Sequence, residues 1–123
     1  DPRRSYPYFS GHRDETGRGA GLGFNLNYPL PHGTAWDGYG EALQHACGQL
    51  RQYRPDLLVV SLGVDTYEGD PISHFRLTTA DFCRIGAAIA AVGVPTLFVM
   101  EGGYRVDEIG INAVNVLQGF EQG

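Results

Sequence analysis

The 123-residue chain is 42% apolar and 19% charged and carries a formal net charge of −5. That length and balance fit one globular domain around a single core and exclude a disordered chain. The acidic balance argues against non-specific binding to nucleic acid, no apolar run approaches the roughly 20 residues of a bilayer span, and no signal-peptide pattern opens the chain.

Residues 1–23 are loop-rich, with Pro2, Pro7 and the glycine series Gly17, Gly19, Gly21 and Gly23. The series resembles a phosphate cradle only superficially. It lacks the preceding strand and directly following helix that a cradle requires, so a tight irregular loop is the expectation. Residues 25–30 could form a short strand ending at Pro29-Leu30-Pro31. Thr34 can cap a helix, and Trp36, Tyr39, Leu43, Ala46, Cys47 and Leu50 then recur at helical spacing. This helix should stop near Tyr53, just before Pro55.

Residues 57–62 (LLVVSL) form a continuous apolar run, which suits a strand of a parallel sheet covered on both faces. An acidic turn follows, with Asp65, Glu68 and Asp70. Thr78 or Thr79 can cap a second helix whose apolar face holds Phe82, Ile85, Ile89 and Val92 and which Gly93 ends. Residues 96–100 are a second apolar strand running into Glu101-Gly102-Gly103-Tyr104, and a last helix carries Val106, Ile109, Ala113, Val116, Leu117 and Phe120. The order helix, strand, helix, strand, helix predicts an α/β fold: a right-handed parallel crossover in a three-layer α/β/α sandwich with a small sheet. So few strands leave an exposed apolar edge. With Met100 as the only methionine and Asp1-Pro2-Arg3-Arg4 at the start, the expectation is a piece of a longer protein or a chain with a partner. Cys47 and Cys83 form no CxxC pair and read as free thiols of a cytoplasmic protein.

Open α/β sheets place their chemistry at the carboxyl ends of strands, which directs attention to Asp65 and Tyr104. Asp65 could bind a hard or borderline metal, act as a base, or cap a turn. Asp70, before Pro71, favours a structural turn role, and Glu68 reads as solvated. Gly102 and Gly103 let backbone pass close to a ligand, having no Cβ. Tyr104 could then point a neutral phenol donor into the site, or be a half-buried tyrosine at a strand end. His12, His32, His45 and His74 make no HxxxH or DxH pair, so no local zinc motif exists.

Several motifs occur together and in order: Asp-Glu-Thr-Gly-x-Gly-x-Gly at 14–21, Asn27-Tyr28-Pro29-Leu30, Ser61-Leu62-Gly63-Val64-Asp65-Thr66, Gly69-Asp70-Pro71-Ile72 and Glu101-Gly102-Gly103-Tyr104. In combination they resemble the carboxyl-terminal part of the histone deacetylase superfamily, most of all its bacterial acetylpolyamine amidohydrolase branch. The resemblance covers nearly the whole chain. It implies residues 1–123 as the C-terminal part of a single arginase/deacetylase-like domain and a zinc-dependent removal of acetyl groups from acetylated polyamines or acetyl-lysine-like amides. It implies Asp65 as a zinc ligand and Tyr104 as the electrophilic catalytic residue. Tyr6 and Ile72 would wall the acyl tunnel, and Gly102 and Gly103 would lie against substrate. It also implies a homo-oligomer.

The family's tandem histidines and its Asp-x-His zinc pair have no counterpart in these residues. The isolated chain is therefore expected to be inactive and to bind zinc weakly or not at all. The competing reading is a non-catalytic truncated homologue serving oligomerisation or partner binding. A nucleotide-binding α/β module is a third and weaker one.

Overall fold

The computed structural model describes residues 4–6 and 8–123. They fall into two units, Asp1–His32 and Gly33–Gly123. Among its described residues the first has one short turn of 3-10 helix, Gly19–Gly21, and otherwise irregular backbone. Its organising group is the Glu15 carboxylate. Oε2 accepts the backbone N–H of Gly11 at 2.6 Å and of His12 at 2.9 Å, and the Asn27 side-chain amide at 3.2 Å. Gly17 sits at φ +105°, where a Cβ would also collide with the Gly21 carbonyl, so only glycine fits there. The tight irregular loop expected of the glycine series is what forms. The strand expected over residues 25–30 does not. The Asn25 and Asn27 amides donate to the carbonyls of Glu15 and His12, and such side-chain-to-backbone bonds compete with a strand ladder.

Among the described residues the second unit holds the remaining regular secondary structure: α1 (Trp36–Tyr53), β1 (Leu58–Leu62), α2 (Thr79–Ala90), β2 (Thr96–Met100) and α3 (Val106–Gln122). Helix α1 begins with Ala35 rather than Thr34 at its N-cap, without a side-chain cap. It ends where Arg54 adopts a left-handed conformation. Thr78 caps α2 through a reciprocal pair with Asp81, whose Oδ2 accepts the Thr78 N–H at 2.8 Å. The far end of α2 closes at Gly93, at φ +78°. Strands β1 and β2 pair in parallel, Leu58 opposite Thr96 through Leu62 opposite Met100.

Leu62, Val64, Leu77, Phe82, Ile85, Ile89 and Val116 form the buried core, with Trp36, Tyr39, Leu43, Leu58, Val60, Phe98 and Phe120 packed around it. All three helices thus contribute to one cluster on one sheet face. The other face carries Leu57, Val59, Leu97 and Val99, which are 40–54% exposed. The α/β class with a small parallel sheet stands. Among the described residues, however, the apolar run at 57–62 is covered on one face only, so two of the three expected layers are present.

Helices α2 and α3 approach more closely than their apolar stripes foretell. A Cβ on Gly86 would collide with the Val116 carbonyl, and one on Gly119 with the Cys83 carbonyl. The Asn115 amide donates to the Thr79 carbonyl at 2.9 Å across the same contact. Cys47 and Cys83 are free thiols, as expected. Among the described residues no helix is long and apolar enough to cross a membrane.

Candidate functional site

Both strands deliver a loop at the carboxyl edge of the sheet, and the two loops are stitched together. Beyond the last strand pair, the Glu101 N–H donates to the Leu62 carbonyl and the Val64 N–H to the Gly102 carbonyl, each at 2.8 Å. Parallel pairing therefore continues past the strands and brings residues 63–65 alongside 101–103. The acidic loop is closed on its other side by Leu77, fully buried. Its carbonyl accepts the Glu68 N–H at 2.8 Å, and its N–H reaches the Thr66 carbonyl at 3.4 Å.

Asp65 lies half-buried in this seam. A Cβ on Gly63 would stand 2.9 Å from Asp65 Oδ1, and one on Gly102 would collide with Oδ2. The carboxylate thus occupies the space that two absent side chains leave. Burial pushes its pKa up, its own backbone N–H pulls it down, and the nearby Asp70 adds to the upward shift. On the facing helix α1, Tyr39 is held neutral by burial first and by the Asp65 charge second. Tyr39 was legible in the sequence only as part of an apolar helix face.

Gly103 adopts φ +150°, and a Cβ there would meet the Val64 side chain at 2.6 Å. The glycine pair therefore lets the second loop lie directly on the first. Tyr104 follows and is 54% exposed. Its backbone N–H donates to Asp70 Oδ2 at 2.7 Å, and the Arg105 N–H donates to the same oxygen at 3.2 Å. The other Asp70 oxygen, Oδ1, accepts the Ile72 N–H at 3.0 Å. Asp70 is only 6% exposed. It was expected to serve its own turn, and it does, but it also grips the Tyr104 loop, 34 residues away. Glu68 is exposed, as expected.

The structure brings Asp65, Gly102 and Gly103 into one seam and ties the backbones of Ile72 and Tyr104 to Asp70. Ile72 is 57% exposed. Tyr6 belongs to the first unit and is 86% exposed, and Pro7 after it lies outside the described residues.

A catalytic zinc commonly takes three protein ligands and keeps one open position. Among the described residues no three of His, Cys, Asp and Glu gather as such a site needs. Asp65 offers one oxygen donor of suitable chemistry, and the described residues do not complete the set.

Comparison with known proteins gives a consistent picture. The histone deacetylase domain family matches residues 1–120. Acetylpolyamine amidohydrolase 1 of Pseudomonas aeruginosa is 62% identical over 121 residues, 98% of this chain and 35% of that protein. Acetylpolyamine amidohydrolase of Mycoplana ramosa is 51% identical over 119 residues, 97% of this chain and 35% of that protein. The crystal structure of acetylpolyamine aminohydrolase from Burkholderia pseudomallei superposes with a TM-score of 0.94 at 43% identity, covering 98% of this chain and 35% of that one. The chain spans about a third of the length of these relatives.

Proposed function

The chain belongs to the histone deacetylase domain family, and on that premise we propose that it furnishes part of the active site of a hydrolase that deacetylates acetylated polyamines. One observation carries the reading. The loop bearing Asp65 and the loop bearing Tyr104 are joined by backbone hydrogen bonds at the carboxyl edge of one parallel sheet. The choice of polyamine over acetyl-lysine substrates rests on the relatives named above, all of them acetylpolyamine hydrolases.

In this proposal Asp65 is an oxygen ligand of a zinc ion whose other ligands lie outside the described residues. Bound zinc would supply a Lewis acid and lower the pKa of a water molecule. The chain's own contribution is positional and electrostatic. Tyr104 carries a phenol O–H at an exposed position. It would donate to the amide oxygen of the substrate as negative charge develops there, an effect worth about 3 kcal/mol in comparable oxyanion sites. Ile72 and Tyr6 would line the path of the methylene chain, an assignment supported by their motifs, and Gly102 and Gly103 would admit the substrate close to backbone. The open face of the sheet, with Leu57, Val59, Leu97 and Val99, supports packing against further polypeptide, whether of the same protein or of a second copy.

The test is hydrolysis of N-acetylputrescine by the full-length protein carrying this sequence, supplied with zinc, beside the 123-residue chain alone. Turnover by the former and none by the latter is the expected outcome. Zinc-loaded full-length protein that leaves the acetyl group in place contradicts the reading. Light scattering reports on the open face: a soluble monomer of the isolated chain counts against association through it.

A further inference from the structure

Asp70 has no part in the chemistry proposed above, yet its side chain joins the two loops that carry that chemistry. Its carboxylate is buried and accepts three backbone N–H groups, from Ile72, Tyr104 and Arg105, at 2.7–3.2 Å. Its own N–H donates to the Tyr67 carbonyl at 3.0 Å, and its carbonyl accepts the Ser73 N–H at 3.2 Å. The residue is therefore fixed to the β1 loop by its backbone and to the β2 loop by its side chain.

The position of Tyr104 depends on that connection. Its backbone follows a two-glycine turn, and glycine restricts backbone torsions less than any other residue. Helix α3 begins only at Val106, and its N-cap Arg105 has no side-chain cap. Between the glycines and the helix, Tyr104 and Arg105 have Asp70 Oδ2 as their one shared acceptor. Hydrogen bonds from backbone N–H groups to a carboxylate are among the strong ones. The same carboxylate also sets Ile72, so a single group spaces the phenol-bearing residue from an apolar residue proposed to face the substrate.

We infer that Asp70 is a positioning residue for the deacetylation chemistry. It touches no reacting atom, and it fixes where the Tyr104 phenol stands relative to Asp65 and Ile72. This rests on the reading of Tyr104 given above.

The experiment is a double-mutant cycle in the full-length, zinc-loaded protein with N-acetylputrescine, using Asp70→Asn, Tyr104→Phe and the pair. Asparagine keeps the shape of Asp70 but cannot offer acceptors on both sides. Tyr104→Phe is expected to lower kcat by roughly 10²–10³-fold. Asp70→Asn should lower kcat by about 10²-fold, the scale of a displacement near 1 Å, with KM changed far less. The pair should be no slower than Tyr104→Phe alone, because a displaced phenol and an absent one are equally useless.

A second readout is amide hydrogen exchange. In Asp70→Asn the Tyr104 and Arg105 amides should exchange at least roughly 10-fold faster, while those of Val60 and Val99 in the sheet keep their protection. Multiplicative losses in the pair, or a Tyr104 amide as protected as in the parent, overturn the positioning role. Uniform loss of protection across the sheet also overturns it and leaves Asp70 a stability residue only. Full turnover by Tyr104→Phe instead overturns the reading of Tyr104, and the positioning role falls with it.

Discussion

Replacing Gly102 with alanine probes the seam directly. Gly102 is not among the residues at positive φ, so alanine meets no backbone strain there. Its cost is steric. The new methyl would stand 2.8 Å from Asp65 Cγ and nearer still to Oδ2, where ordinary contact begins at 3.4 Å. The carboxylate must therefore retreat by at least about 0.6 Å (3.4 less 2.8), or the glycine loop must lift off it by as much. Overpacking of this kind costs about 1–3 kcal/mol, or a fall in melting temperature of roughly 1–3 °C per kcal/mol for a full-length protein about three times as long as this chain. The effect on turnover should be larger, approaching 10²-fold, because the displaced group is the proposed metal ligand. Calorimetry and steady-state kinetics on the full-length protein, with zinc affinity measured beside them, check both. Gly110→Ala is the control, since a Cβ there meets nothing within 4 Å and alanine favours a helix interior. Wild-type melting and turnover in Gly102→Ala would refute the close approach of the two loops.

Three further outcomes follow from the packing and the charges. Gly86→Ala and Gly119→Ala each drive a methyl into a backbone carbonyl of the facing helix. Each should cost about 1–3 kcal/mol or more in urea denaturation, and an unchanged midpoint would contradict the α2–α3 contact. Thr78→Ala removes one half of the capping box of α2 and should cost about 1 kcal/mol by the same measurement. Asp65→Asn should stabilise the metal-free protein. Burial raises the Asp65 pKa in the folded state above its ordinary 3.8, so the folded state holds the proton more tightly than the unfolded one. Stability is thus lost as pH rises from the unfolded pKa through the folded one, and the loss is complete above it. Denaturation with a chelator present should show the asparagine variant more stable at pH 7 and equal to the parent below pH 3.8. A variant less stable than the parent at neutral pH would reverse the sign assigned to burial.

The sequence was most informative where a local rule operates. The helix face of Phe82, Ile85 and Ile89 and the Thr78 cap follow from spacing and from hydrogen bonds three residues apart. Strand β2 carries the bounds its apolar run suggests. Asp65 and Tyr104 stood out because they follow the carboxyl ends of two strands. What local rules could not supply were the long-range pairings. Asp70 reads as half of an Asp-Pro turn until Tyr104 is seen to donate to it. Gly86 and Gly119 look like weak points of two helices, whereas their missing side chains are what lets those helices meet. The same holds for residues 25–30, whose apolar alternation resembles a strand while the Asn25 and Asn27 amides bind a loop. At residues 57–62 the apolar run does indicate a strand intended for burial, but what covers its second face is not a local property.

Most direct for the account as a whole is a crystal structure of the full-length protein with zinc and an unreactive acetyl-amide analogue. The prediction is a metal held in part by an Asp65 oxygen, with the analogue's carbonyl oxygen within hydrogen-bonding distance of the Tyr104 hydroxyl. Metal bound elsewhere, or a Tyr104 hydroxyl turned away from the bound carbonyl, would contradict it.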